Sequence, residues 1–377
     1  MNKLSVQTHR TDRCGEPPIV LLLDTTQYFP SSPLFAEALE RASKDGSVGG
    51  EFVDEAPALG RAMSLVDRVV QRIRPWPHKS MIDLHRAIVA RAEAIEPDVV
   101  LVVKGAHLTM ECLAAMKSTG ATLVNFATDD PFNPRNSSPL WRRALPLYDV
   151  VCTPRHANVA DLRALGVSDV RFVPFGYKQD VHFEEAPQDS AEQERFQSDV
   201  CFIGGADLDR LVYFEELVER VPDVKLALYG GYWNRSPRLA PFWRGYAVGR
   251  EFRLAVGGAA ISVNLVRRAN RDDHVMRTFE VPACGGCMLT EPTSTHLELF
   301  REGEEAFFFD SPASFVDKVR HLLGRPELRR RTARAAQLKI AHAGNRYDDR
   351  LATIVQLATT QHQSVRREER RSNAVSA

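Results

Sequence analysis

Residues 97–104 read PDVVLVVK and residues 18–24 read PIVLLLD. Within them, residues 99–103 and 19–23 are apolar at every position. As a strand, such a run has no face to offer water, so both of its faces must be covered. Each run stops at polar residues, Asp24-Thr25-Thr26 in the first case and Lys104-Gly105 in the second. Helical patterns are expected near 33–43, 60–74, 80–95 and 109–118. Further strands are expected at 122–126, 150–153 and 170–174, with a helix near 157–165. Strands alternating with helices at this spacing specify a doubly wound parallel sheet over residues 17–180, behind a loose tail at 1–16.

Residues 175–198 change character. They are polar, acidic and poor in apolar periodicity, and they read as an interdomain linker, centred on 181–198. A second α/β series follows. DVCFIGG is a strand ending in Gly204-Gly205, and 224–229 is a strand ending at Tyr229-Gly230-Gly231. Strands are also expected at 260–265, 287–290 and 306–309, with helices near 211–221, 314–323 and 326–342. This second domain spans 199–345; a last amphipathic helix covers 346–361, and 362–377 is too polar and charged to pack. The fold class is therefore α/β, with two doubly wound Rossmann-like domains facing across a cleft. A length of 377 residues suits two cores better than one. Ligands in open α/β sheets sit beyond the carboxyl ends of the strands, which puts the site in that cleft.

Charge excludes some partners. Lys and Arg number 49 and Asp and Glu number 49, so no global field attracts nucleic acid or an anionic membrane. The arginine-rich stretches 329–334 and 366–371 have acidic neighbours and read as solvated helix face and loose tail, which leaves membrane contact at most peripheral. No apolar run approaches the roughly 20 residues needed to span a bilayer, and the N-terminus lacks the apolar core of a signal peptide. Of the six cysteines only Cys284 and Cys287 are spaced C-x-x-C, without the second pair or nearby His that a zinc site needs. No metal site is expected, and the compartment is expected to be reducing cytoplasm.

The stretch 272–292, DDHVMRTFEVPACGGCMLTEP, organises the second domain. A charged segment (Asp272, Asp273, His274, Arg277) leads into a short helical pattern. Gly285-Gly286 breaks it, and a buried strand ends in Thr-Glu-Pro. A polar helix entry, a glycine turn and a strand end form a ligand-site layout.

With 199–210 (DVCFIGGADLDR), Asn264 in ISVNLVR, and the long segment from RTFEVPACGG through RRRTARAAQLKIAHAGNRYDDRL, this stretch resembles the C-terminal domain of CgeB-like glycosyltransferases. These are group-1-like enzymes of the GT-B fold. FATDDP at 126–131 resembles the Asp-Asp-Pro loop of that family's N-terminal half. The resemblance covers about 199–357 well and 97–175 weakly. It implies transfer of a sugar from a nucleotide-sugar donor held by the C-terminal domain, with no separate cofactor. Glu280 matches the second acid of the spaced pair that holds the ribose hydroxyls in related enzymes. The first acid falls at Asp272, where Glu is usual. Arg277 matches the arginine before the family's Phe-Glu. The Arg/Lys pair that many GT-B enzymes place on the diphosphate is not evident; Arg267, Arg268 and Arg271 are nearby but do not align with it.

The residues themselves allow this chemistry, each beside a plainer reading. Carboxylates accept from both ribose hydroxyls, so Glu280 suits ribose; the plain reading is a solvated or salt-bridged face. Arg277 and the amides after Gly204-Gly205 suit a diphosphate, whereas two glycines alone also make a simple tight turn. Tyr229, Gly230 and Asn264 lie at strand ends where a base could stack or bond. His274 could protonate a leaving group or bind phosphate, or be a solvated loop histidine. Asp129 and Asp130 directly follow a strand and could supply a general base or orient acceptor hydroxyls; the alternative is a turn cap. Lys104, His107 and Asp24 are weaker candidates at neighbouring strand ends. The expected function is transfer from a UDP- or GDP-linked sugar to an unidentified acceptor hydroxyl, without a metal. A nucleotide-sugar epimerase and a non-catalytic nucleotide-binding protein are the rivals. A nicotinamide dehydrogenase is disfavoured because neither first glycine turn carries the G-x-G-x-x-G fingerprint.

Overall fold

The computed structural model describes residues 15–25, 33–56 and 79–376. Residues 1–14 of the tail expected at 1–16, and the helix expected at 60–74, lie outside the described residues. The first sheet contains β1 (Ile19–Asp24), β2 (Gly49–Asp54), β3 (Val99–Val103), β4 (Thr122–Phe126), β5 (Val150–Thr153) and β6 (Val170–Phe172). Its order is β2-β1-β3-β4-β5-β6, and every pairing is parallel. The second sheet contains β7 (Ser198–Ile203), β8 (Leu226–Tyr229), β9 (Ala259–Asn264), β10 (Met288–Thr290) and β11 (Phe307–Phe308), again all parallel, in the order β11-β10-β9-β7-β8. Read from each sheet's own first strand, both share the order 2-1-3-4-5. The two doubly wound Rossmann-like domains expected from the sequence are present.

The helices are α1 (Ala36–Lys44), α2 (Lys79–Ile95), α3 (Met110–Ser118), α4 (Pro139–Ala144), α5 (His156–Ala164), α6 (Ser190–Phe196) and α7 (Leu208–Arg220). They continue with α8 (Arg250–Gly257), α9 (Arg277–Ala283), α10 (Ser294–Leu299), α11 (Pro312–Leu323), α12 (Pro326–His342) and α13 (Tyr347–Ser376). The continuous apolar runs behave as their lack of a polar face requires. In β3, Val99, Leu101 and Val103 pack with Phe35 and Leu39 on one side, while Val100 and Val102 pack with Ile88 and Met116 on the other.

Several elements differ from expectation. Strand β2, GGEFVD, lacks an apolar run because it is an edge strand and only alternate residues meet the core. Gly50 lets it close on β1: a Cβ there would sit 2.3 Å from the Val20 carbonyl oxygen. The expected linker is not structureless. It holds α6, whose cap Asp189 accepts from the Glu192 amide at 2.8 Å, and β7 already begins at Ser198. Helix α13 runs through Ser376 rather than ending at 361. The sequence RREERR carries opposite charges at i,i+3 spacing, and polarity that disfavours packing does not by itself disfavour helix.

The chain crosses between domains twice. After α12 it returns, and α13 lays Leu351, Ile354, Val355 and Ala358 in the same core as Val99, Val124 and Phe126 of the first domain. Tyr347 stands edge-on to Phe35 at 5.3 Å. The two crossings hold each other: the Tyr177 amide donates to the Asn345 carbonyl at 3.1 Å, and the Tyr347 amide to the Tyr177 carbonyl at 3.0 Å. Gly176 permits that approach, since a Cβ there would lie 2.7 Å from the Asn345 oxygen, a backbone atom that cannot swing away. Gly176→Ala should therefore cost about 1–3 kcal/mol, lowering the melting midpoint by several degrees. Gly324→Ala, where a Cβ meets nothing within 4 Å, should leave it within a degree or two in the same calorimetric scan.

Candidate functional site

The glycine turn after β7 is built by close backbone approach. The Gly204 amide donates to the Tyr229 carbonyl at 2.9 Å, and the Ala206 amide to the Gly231 carbonyl at 3.0 Å. Gly230 has φ +116°, and a Cβ on it would lie 2.4 Å from the Gly204 carbonyl oxygen, so only glycine fits. Arg210 of α7 braces the turn from below. Its Nη1 donates to the Gly205 carbonyl at 3.0 Å and its Nη2 to the Leu265 carbonyl at 3.1 Å, tying the ends of β7 and β9 together. Its buried Nε has no partner. Sequence reasoning missed Arg210, although it falls within the quoted DVCFIGGADLDR.

Helix α9 brings Arg277 and Glu280 to this turn. Three residues apart, they share one helix face, and Arg277 Nη1 donates to Glu280 Oε2. Arg277 Nε donates to the Ile203 carbonyl at the end of β7 at 3.2 Å, and the guanidinium lies over the Phe252 ring at 4.7 Å. Nη2 is left without a protein partner among the described residues. The other Glu280 oxygen, Oε1, lies 3.5 Å from Nε2 of His182, a residue of the first crossing that sequence reasoning did not single out. His182 Nδ1 accepts from the Lys178 amide at 3.1 Å, so in the neutral ring the proton sits on Nε2 and points at Glu280. Burial lowers the His182 pKa, against the pull of Glu280, and favours that neutral form.

The loop between β9 and α9 reaches across to the first domain. Asn270 Nδ2 donates to Asp129 Oδ1 at 3.1 Å, while its own oxygen accepts from Asn133 at 2.7 Å and Asn136 at 2.8 Å. Arg271 forks onto Asp130 through Nε at 2.7 Å and Nη2 at 3.0 Å. Asp272 accepts from Arg155 Nε at 2.5 Å, both side chains almost fully buried. Burial pushes the Asp272 pKa up to about 6, with Arg155 opposing and Asp129 adding. Asp129 itself pairs with Lys104 Nζ at 2.7 Å. Burial alone would raise its pKa, but the Lys104 charge and hydrogen bond, helped by Arg155, hold it below the usual carboxylate range.

These positions change several expectations. Asp272 faces Arg155 in the domain joint and not the glycine turn; its short side chain reaches that buried guanidinium. Asp130 has both oxygens taken by Arg271 and is not available to an acceptor. His274 is fully buried, its Nε2 accepting from the Phe175 amide at 3.2 Å and its Nδ1 facing Asp273 at 2.9 Å. With both nitrogens engaged it cannot reach a leaving group. Asn264 is turned into the core, donating to Thr278 Oγ1 at 3.1 Å, and Thr278 in turn meets His296 at 2.9 Å. Tyr229 is buried in the core with Leu254 and Ala255 and presents no stacking face. That face exists a few residues on: Tyr232 is 60 % exposed, Tyr246 64 % and Trp243 39 %, and Trp243 Nε1 donates to the Gly230 carbonyl at 2.8 Å. The aromatic density of GGYWN and FWRGY was its signal in the sequence.

Among the described residues no group of three or more His, Cys, Asp or Glu side chains gathers as a metal site. Cys284 and Cys287 are buried free thiols, and burial raises the pKa of both. No helix of the described residues is long and apolar enough to cross a membrane. On the first domain's strand edge, Asp24 is buried and accepts from the Thr25 amide at 2.7 Å and the Leu34 amide at 2.8 Å. Burial pushes its pKa up to about 7, with those two amides opposing the rise, Glu55 adding to it and Lys178 also opposing.

Residues 210–356 match the profile of a family described as glycosyl transferase-like. A search of curated proteins finds no match. Solved structures similar to this chain include sucrose-phosphate synthase from Thermosynechococcus elongatus, at 10 % identity over 92 % of this chain and 100 % of that one, with a TM-score of 0.64. An α,α-trehalose-phosphate synthase (UDP-forming) from Burkholderia vietnamiensis matches at 11 % identity over 91 % and 100 %, with a TM-score of 0.61. Anabaena Alr3699/HepE, solved in complex with UDP and glucose, matches at 14 % identity over 92 % and 100 %, with a TM-score of 0.56. The fold is GT-B.

Asp24 yields a pH dependence. Its folded pKa of about 7 lies above the ordinary aspartate value of 3.8, so its proton stabilises the fold. That contribution is full below about pH 4 and is lost as pH rises through about 7. Asp24→Asn stays neutral throughout. In urea unfolding, the stability of wild type relative to Asp24→Asn should fall by up to about 4 kcal/mol between pH 4 and 8. A difference that is flat or rises with pH would refute the assignment.

Proposed function

We propose that this chain is a glycosyltransferase that moves a sugar from a nucleotide diphosphate donor to an acceptor held on the first domain's side of the cleft. The observation that carries this reading is the pairing of Glu280 with Arg277 at the glycine turn, inside the segment that matches the glycosyl transferase-like family. Glu280 would accept from the ribose hydroxyls through the lone pairs that Arg277 and His182 leave open, with His182 fixing the carboxylate plane. Arg277 Nη2 and the amides at Gly205 and at the start of α7 would take the diphosphate. Asp207 lies beside them, but Arg267 Nε sits 3.2 Å from its carboxylate and offsets its charge. The exposed rings of Tyr232, Trp243 and Tyr246 offer the base a stacking surface.

The reaction would be displacement at the anomeric carbon, with Arg277 and the amides stabilising the departing diphosphate. Asp129 is the acid of the Asp-Asp pair that still faces the cleft. Lys104 keeps it ionised and makes it a poor proton acceptor, so it suits orienting an acceptor hydroxyl better than full deprotonation. Apposition of the domains would exclude water and limit donor hydrolysis. The finer reading is a CgeB-like, metal-independent hexosyltransferase using a UDP- or GDP-sugar. The similar trehalose-phosphate synthase is UDP-forming and HepE was solved with UDP and glucose, which favours a UDP-linked sugar as the first donor to try.

Thermal stabilisation should be measured with UDP, GDP, TDP, ADP, CMP and NAD, on wild type beside Glu280→Ala. A nucleotide at about 100 times its dissociation constant adds roughly 2.7 kcal/mol, enough to move the midpoint by several degrees. The expected result is a shift with UDP or GDP that the variant loses. A shift with NAD alone would overturn the reading, and nucleotide binding without donor turnover would favour the non-catalytic rival. Separately, His182→Gln keeps a donor facing Glu280 and should retain the UDP shift, whereas His182→Leu should weaken UDP binding by about 5–30-fold, read by titration calorimetry.

A further inference from the structure

The first domain carries a cavity of about 680 Å³ between α2, α3 and α4, within the roughly 300–1,000 Å³ range of small-molecule sites. Its apolar wall comes from Ile82, Val89 and Ala90 on α2, Met110 and Ala115 on α3, and Leu140 on α4. Ile82 is 38 % exposed and Met110 43 %, so two large apolar side chains face this opening unpacked. The lining positions 82, 86, 89 and 93 follow one face of α2, which makes the groove about 16 Å long at 1.5 Å rise per residue. That length fits an extended chain better than a compact ring. Arg86 and Arg143 at the rim are balanced by Glu93 and Glu111, so the mouth selects for no net charge.

The inner wall is polar. His85 is buried, its Nε2 has no partner, and its ring stacks on His107 at 5.7 Å between centroids. His107 Nε2 lies 3.2 Å from Glu55 Oε1, and Glu55 is buried. Burial pushes the His85 pKa down to about 4, so its ring is neutral and can donate to or accept from a hydroxyl. Glu55 follows β2 and His107 follows β3, at the strand edge that faces the cleft. His85 thus stands between the groove and the His107–Glu55 pair at that edge.

We propose that this groove binds the alkyl chain of an uncharged acceptor, whose hydroxyl-bearing end lies against the unpartnered Nε2 of His85. This assignment rests on the transferase reading above, but the groove can be tested without turnover. Full-length protein should be titrated calorimetrically with 1-hexanol, 1-octanol and 1-decanol. Affinity should rise about fourfold per added methylene as each is buried. Ala90→Trp, which fills the groove, and Met110→Asp, which charges its wall, should each weaken 1-decanol at least tenfold. Both substitutions are at exposed helical positions, and an unliganded midpoint near that of wild type checks their folding. No alkanol binding, affinity indifferent to chain length, or variants that bind as well as wild type would overturn the groove. Wild type that binds 1-decanol but shows no shift with any nucleotide would instead overturn the transferase reading, and with it the acceptor role.

Discussion

The pair Arg155–Asp272 determines how the two domains face each other. Its members are 117 positions apart and belong to different domains, yet both are almost fully buried. Removing two charges from water costs several kcal/mol each, so such a pair adds little net stability. Its value is registry, because separating the partners would leave an uncompensated charge in a dry joint. Arg271 on Asp130 and Asn270 among Asp129, Asn133 and Asn136 extend the same joint. Together they hold the carboxyl edges of the two sheets toward one cleft.

The double crossing supplies the second half of the site. Lys178 and His182 sit on the first crossing, next to the Tyr177 contact that ties it to the second. Lys178 Nζ reaches the Pro33 carbonyl and Glu37 in the first domain, while His182 faces Glu280 in the second. A segment that joins the domains thereby also sets the plane of the carboxylate assigned to ribose. Any hinge motion about the crossings would move His182 relative to Glu280, which couples domain apposition to the donor site.

The acidic groups of the cleft show how environment assigns roles to identical side chains. Asp129 is held ionised by Lys104, Asp130 is consumed by a guanidinium fork, and Asp272 is raised by burial in the joint. Asp24 is raised further, because the Thr25 and Leu34 amides and the Lys178 charge offset its desolvation only in part. Adjacent in sequence, Asp129 and Asp130 therefore do different work.

Much of the architecture was legible in the chain itself. Continuous apolar runs such as VVLVV demand cover on both faces, and that local requirement determined the doubly wound sheets and nearly all of their strands. The edge strand GGEFVD escaped because half of it faces outward, and its pairing depends on backbone approach to Val20, a contact 30 positions away. That Arg277 and Glu280 share one helix face was also legible, since it follows from their spacing of three residues. Asp272, His274, Asn264 and Tyr229 lie at strand ends or polar loops that look exposed locally, but each is buried by tertiary contacts. Arg155, Phe175, Thr278 and the Leu254 core supply those contacts. The sequence by itself determined the periodicities, and so the two sheets and their common edge. Only the tertiary structure decided which polar side chains at that edge remain open to a ligand, because that depends on contacts between elements separated by as many as 117 positions.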